Sequence, residues 1–181
     1  MAEYPAHLVR EHCLADGTVV TIRPIRKSDE VREHEFLAGL SWETWYFRFH
    51  KFVAAPSDNL VHFFTDIDYE RHMAFVCTVA TENGEEVVGE ARYVVNPNGK
   101  SCVLGIMIAD SWHKSGIAGL LMEALMHTAR ERGLETMEGL VLSRNGRMLR
   151  FARALGFDVC PIPDDPGITL IVKQLRRPSV A

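Results

Sequence analysis

The spacing of apolar residues changes several times along the chain, and each change marks an element. Ile117, Leu120, Leu121, Ala124 and Leu125 recur at i, i+3, i+4, i+7 and i+8. That stripe predicts a helix from about Ser115 to Arg132, packed by one face. Arg130 and Arg132 in its last turn and Gly133 beyond it are stop signals. Upstream the period shortens. His72 to Thr81, Val87 to Val95 and Cys102 to Ala109 are β-rich runs, separated by the turns Glu82-Asn83-Gly84 and Asn96-Pro97-Asn98-Gly99. Three strands joined by tight turns predict an antiparallel meander. Leu8 to Leu14 and Thr18 to Pro24 read as a hairpin across Ala15-Asp16-Gly17.

Between hairpin and meander, three serines mark helix starts. Ser28 is the expected N-cap of a helix from Asp29 to Leu40, Ser41 of a short helix carrying Trp42, Trp45, Tyr46 and Phe49, and Ser57 of a third to about Asp66. Glu33-His34-Glu35 is expected on an exposed, solvated face of the first. After the long helix come a strand (Thr136 to Leu142), a helix (Arg147 to Leu155) and closing strands around Phe157 to Cys160 and Ile168 to Val172. Strand–helix–strand crossovers following a meander predict a mixed α/β sheet with helices on both faces. No linker or repeat divides residues 1–181, so the chain is expected to form a single domain with its core at about residues 18–174.

Composition narrows the function. The 181 residues carry 20 Lys plus Arg against 24 Asp plus Glu, a net charge of -4 that speaks against a nucleic-acid partner. Met1 to Arg10 lack the build of a signal peptide and no apolar run reaches the roughly 18 residues of a membrane span. Cys13, Cys77, Cys102 and Cys160 form no C-x-x-C pair, so reduced thiols, no metal and a cytoplasmic location are expected. Gly99-Lys100-Ser101 lacks the first glycine of a phosphate-binding P-loop, because Val94 stands there. There is no G-x-S-x-G elbow and no H-E-x-x-H.

The segment from Ile106 to Gly119 carries chemistry. A strand runs through a short loop into the long helix, whose first N–H groups have no intrahelical partner and, with the helix dipole, attract anions. Gly116, Ala118 and Gly119 keep that terminus free of bulk, and His113 and Lys114 stand beside it. The small residues also suit tight helix–sheet packing, and spacing alone weighs the two readings evenly.

These residues resemble the GNAT superfamily of N-acetyltransferases. Its signature Q/R-x-x-G-x-G/A falls on His113-Lys114-Ser115-Gly116-Ile117-Ala118, with His113 in place of Gln or Arg. Thr21-Ile22-Arg23-Pro24-Ile25-Arg26, Leu40 to Phe49, Ile67-Asp68-Tyr69 and Val88-Gly89-Glu90-Ala91-Arg92-Tyr93 look like GNAT domains of bacterial protein-lysine acetyltransferases. Ser143-Arg144-Asn145 and Leu155-Gly156-Phe157 extend the match, which is colinear from about Thr21 to Val172. The resemblance implies a mixed, mostly antiparallel sheet of about seven strands, with a splayed pair of central parallel strands.

It also implies an acetyl-CoA-dependent enzyme that acetylates a primary amine, on a protein lysine or a small molecule, by direct attack through a tetrahedral intermediate. His113, Lys114, Ser115, Gly116, Ile117 and Ala118 would hold the pyrophosphate. Ile106 and Ile108 would pair with the pantetheine arm, Met107 or Ile108 would donate to the oxyanion, and Asn145 would lie near the arm or cap the next helix. Ser101 to Leu104 hold no carboxylate and Ala152 stands where relatives often carry a catalytic Tyr. Glu90, Tyr93 and Asp68 are the substitute catalytic candidates, with a plain Glu90–Arg92 ion pair the favoured alternative. Cys102 is expected as a small buried hydrophobe rather than a nucleophile. A catalytically weak acyl-CoA-binding sensor is the second hypothesis, and an interaction surface on Trp42 to Phe49 a third. Acyl length, acceptor and oligomeric state stay open, a homodimer included.

Overall fold

The computed structural model describes residues 3–51 and 55–175. Eight strands form one sheet: β1 (Arg10–Cys13), β2 (Val19–Pro24), β3 (His72–Thr81), β4 (Gly84–Val95), β5 (Ser101–Ile108), β6 (Thr136–Leu142), β7 (Asp158–Ile162) and β8 (Asp165–Gln174). Their order is β1-β2-β3-β4-β5-β6-β8-β7. Five helices accompany them: α1 (Glu30–Gly39), α2 (Trp42–Phe49), α3 (Asp58–Thr65), α4 (Ile117–Glu131) and α5 (Gly146–Ala154). This is the expected mixed α/β architecture, with eight strands where about seven were implied.

Every pairing is antiparallel except β5–β6, which is parallel and confined to Ser101–Val103 against Thr136–Glu138. Beyond Val103 and Glu138 the two strands part. Two cores flank the sheet. The predicted stripe of α4 (Ile117, Leu121, Leu125) packs with Val20, Ile22, Phe75 and Ala91. On the other face Phe36 and Leu37 of α1, Trp45 of α2 and Phe64 of α3 pack on Val76 and Met107.

Ser41 and Ser57 cap as expected, accepting from Thr44 N and Leu60 N at 3.3 Å each. Ser28 does not. Lys27–Asp29 forms a 3₁₀ turn, and the carboxylate of Asp29 accepts the Arg26 N–H at 3.0 Å. The same carboxylate takes a two-pronged bond from the buried Arg23 guanidinium, at 2.7 and 2.8 Å. An exposed cap becomes a buried ion pair because Arg23 points inward from β2 and needs a counterion.

Glu33 is a second correction. His34 and Glu35 are exposed as expected, but Glu33 is fully buried beside Phe36 and Leu37. It stands three and four residues before them, on the same helical face. No N–H or hydroxyl donor reaches either carboxyl oxygen among the described residues, and the carboxyl neighbour it meets is Glu90, to which a protonated Glu33 donates. Burial first, and then the neighbouring Glu90 charge, raise Glu33 well above the ordinary glutamate range. Both effects favour the protonated, uncharged carboxyl.

Cys77 and Cys102 are buried, Cys13 and Cys160 exposed, and all four are free thiols. Burial pushes Cys102 up to about 12, which fits its expected part as a small hydrophobe. No helix is long and apolar enough to cross a membrane, and no cluster of metal-ligating side chains exists among the described residues.

Two stability outcomes follow. Asp29→Asn leaves Arg23 facing only Glu85, at 3.1 Å and 38% exposed. Urea unfolding should register a loss of up to about 3 kcal/mol, the low end of the cost of halving a buried ion pair, because Glu85 still faces Arg23. For Glu33 the sign runs the other way. An unfolded glutamate deprotonates near pH ~4.3, so above it the unfolded chain holds fewer protons than the folded one and stability falls with rising pH. Glu33→Gln keeps the shape and removes the titration. It should match the wild type at about pH 4 and gain on it at up to about 1.4 kcal/mol per pH unit above that. Urea titrations between pH 4 and 8 check this, and equal slopes for the two proteins would count against a protonated Glu33.

Candidate functional site

The parting of β5 from β6 leaves backbone groups without a strand partner. Asn96 N donates to Ser101 O and Ala109 N to Val88 O, so odd-numbered residues of β5 turn their polar groups toward β4. Even-numbered Leu104, Ile106 and Ile108 turn theirs toward the gap. Ile106 and Ile108 are thus placed as expected. Met107 differs in one respect: its amide bonds toward β4, whereas those of Ile106 and Ile108 turn toward the gap.

The gap opens into a cavity of about 510 Å³, within the usual ~300–1,000 Å³ of small-molecule sites. Leu104, Ile106 and Ile108 of β5 form one wall and Gly139, Leu140 and Val141 of β6 the other. His113, Lys114, Gly116 and Ala118 rim one end; Phe47 and Arg48 of α2 close over β5.

At the rim the chain takes a left-handed step at Lys114 (φ 68°) and again at Gly116 (φ 95°), the residue before α4. Only glycine adopts the second without strain. No side chain caps α4. The N–H groups of Lys114, Gly116 and Ala118 have no acceptor among the described residues, and that of Ile117 reaches only Ser115 Oγ, at 3.4 Å. These amides, the helix dipole and the Lys114 ammonium make an anion-binding rim.

His113 holds the rim in place. Arg147 Nη1 donates to its Nδ1 at 2.9 Å, so Nε2 carries the proton and donates to Ile108 O at 3.2 Å. Arg147 lies 34 positions away, and nothing in the sequence links the pair. Asn145 lines the cavity and also caps α5, its Oδ1 accepting from Met148 N at 3.1 Å. Both parts weighed for it are compatible.

The catalytic candidates fall in three places. Glu90 is fully buried behind the cavity, its oxygens taken by Arg92 Nε at 2.7 Å and by Arg92 Nη2. Burial pushes Glu90 up, but the Arg92 guanidinium outweighs it and holds the carboxylate below its ordinary range. The ion pair is therefore the observed state. Tyr93 follows Arg92 directly and so lies on the opposite face, buried under α4, with its hydroxyl accepting from Arg132 Nη1 at 3.3 Å. The structure does not bring it to the cavity. Asp68 accepts three backbone N–H groups, from Glu70, Arg71 and His72, and organises a turn.

Arg92 extends the charged layer outward. Its guanidinium stacks on the Phe64 ring at 3.6 Å, donates to Phe64 O, and donates to His72 Nε2 at 2.9 Å. Burial and then Arg92 drive His72 down to about 4, so it is neutral. On α2, Trp45 is core and Phe47 is cavity wall, while Trp42 is 68% exposed. That division leaves the helix as a wall rather than a continuous interaction surface. Arg48 escaped the sequence reading, its only signal being a cation set among aromatics.

Comparison with known proteins accounts for this geometry. The Acetyltransferase (GNAT) family matches residues 36–157. The chain is 36% identical over 152 residues to Acetyltransferase PA5475 of Pseudomonas aeruginosa, covering 84% of this chain and 82% of that one. It is similar to the GNAT domain of S. lividans PAT, with a TM-score of 0.85, 26% identity and coverage of 95% and 99%. It shares its fold with yncA of Salmonella typhimurium, a putative acetyltransferase solved with its cofactor acetyl-CoA, at a TM-score of 0.64, 20% identity and coverage of 90% and 97%. The chain thus belongs to the GNAT family of acetyltransferases, and it is an acyltransferase.

Proposed function

We propose that the protein transfers an acetyl group from acetyl-CoA to a primary amine. The observation that carries this is the cavity between β5 and β6, with unpartnered N–H groups at its rim and unpaired strand edges along its wall. A diphosphate fits the rim at Lys114, Gly116 and Ala118. An extended amide-bearing arm suits the β5 edge, where Ile106 offers N–H and C=O as a strand would. Ile108 O is already taken by His113, so its N–H is the group left to offer. An arm entering at the rim reaches Leu104 and Gly105, where β6 closes in again. The acyl group belongs at that inner end.

Attack requires a neutral amine, since an alkylammonium has no lone pair to give. No Asp, Glu or Tyr lines the cavity among the described residues, and His113 at its rim has both ring nitrogens engaged, by Ile108 O and by Arg147. The proton therefore leaves to water, and the wall contributes orientation and an oxyanion donor from the Ile106 or Ile108 amide. A CoA thiolate leaves readily, so an acid is little needed. The amine acceptor is a protein lysine or a small molecule. The want of an acid on the wall is also what favours the second reading, a binding-only sensor.

Two measurements test this. Calorimetry should show CoA binding to the wild type and at least about 10-fold weaker binding to Ala118→Glu, whose carboxylate sits where the diphosphate would. An acid in the first helical turn suits the dipole by about 0.3–1 kcal/mol, so the melting temperature of that variant should hold or rise. Second, CoA release measured over lysine peptides and alkylamines should give kcat/KM rising with unit slope toward the acceptor's own pKa, near 10.4 for a lysine. A plateau between about pH 6 and 8 would instead require a protein base. CoA binding without release above background for any acceptor would leave the sensor.

A further inference from the structure

Arg48 is held over the inner end of the cavity by its helix. Asp110, just past β5, accepts Ser41 N at 2.9 Å, Ser41 Oγ at 2.7 Å and Thr44 Oγ1 at 2.9 Å. Trp45 Nε1 donates to Leu37 O at 3.0 Å. These ties fix α2 against β5 and α1. The Arg48 side chain then lies on Gly105 so closely that a methyl group there would overlap its guanidinium.

No hydrogen bond or ion pair to Arg48 exists among the described residues, and its Nε is buried without a partner. The guanidinium lies 5.1 Å from the Phe49 ring centre, and Glu90, the nearest opposite charge, attracts it but is already hydrogen-bonded to Arg92. Glu90 is matched by Arg92 and Asp29 by Arg23. Burial and Glu90 favour the uncharged form of Glu33, and burial with Arg92 keeps His72 neutral. Burial lowers Arg48 itself to about 10, still charged at neutral pH. One net positive charge thus faces a cavity whose inner end is otherwise apolar: Phe47, Leu104 and Ile171. A half-buried guanidinium whose Nε has no partner is costly, and an anion arriving with the substrate would relieve it. The planar fork selects a carboxylate, bound by two parallel N–H···O bonds.

We propose that Arg48 recognises a carboxylate carried by one of the two substrates at the acyl end of the cavity. The inference rests on the CoA orientation proposed above. The carboxylate has two possible sources: the far end of a dicarboxylic acyl chain, or the acceptor amine, as in an amino acid.

Calorimetry on the full chain separates them. In one arm, wild type, Arg48→Gln and Arg48→Lys are titrated with acetyl-CoA and with succinyl-CoA. In the other, the CoA-saturated proteins are titrated with lysine, methionine and glutamate and with their α-amides. The wild type should prefer the carboxylate-bearing partner by about 10- to 100-fold in one arm. Arg48→Gln should lose that preference and Arg48→Lys keep part of it. Thermal melting supplies a check on folding: removing an unpaired charge should leave the melting temperature of Arg48→Gln level or raise it. No preference in either arm, with CoA still bound, overturns the role of Arg48 alone. A preference that survives Arg48→Gln does the same, and so does a lowered melting temperature with no change in preference. Failure of the wild type to bind CoA at all overturns the proposed function and this inference with it.

Discussion

The molecule is organised by the short reach of one parallel pairing. β5 and β6 share three residue pairs and then diverge, because the meander holds β5 on one side while the β8 pairing holds β6 along its whole length. Backbone polar groups cannot be left buried and unpaired without a large penalty, so the divergence creates a standing demand for an extended partner. Gly139 sharpens it at the apex, where Leu104 and Ile171 already fill the space a side chain would need. The rim at α4, the His113 clamp and the α2 wall all border this opening.

Beneath the opening, a layer of buried charge ties the sheet to its helices. Arg23 with Asp29 joins β2 to the start of α1; Glu90 with Arg92 joins β4 to α3 through the Phe64 carbonyl and ring. Such pairs gain little over apolar packing but lose heavily when halved, so they specify geometry more than they stabilise it. Here they set where the acidic groups are not: on the cavity surface. In the proposed reaction, such a wall would contribute by holding the reactants together.

Sequence patterning exposed the parts governed by periodicity. The α4 stripe, the turn glycines, β6 with its observed bounds and the Ser41 and Ser57 caps all follow from local rules. Strand parity alone dictates that Glu90 and Arg92 share a face and that Tyr93 points away from both. What local rules missed was tertiary. Glu33 looks solvated among Arg32, His34 and Glu35, yet its spacing to Phe36 and Leu37 puts it in the core stripe. Asp29 outcompeted Ser28 as a backbone acceptor because Arg23 fixes it in place. Arg147 meets His113 only through the β6–α5 crossover. None of these pairings is a neighbour relation in the chain.

Gly105 and Arg48 occupy one shared volume, though 57 positions separate them. Neither can therefore drift independently. A side chain at 105 requires the far end of Arg48 to swing aside, so the two positions should behave epistatically, the effect of Gly105→Ala being softened by a smaller residue at 48. Among relatives of this fold, that pair would act as a two-letter marker separating chains with a cationic inner wall from those with a plain one.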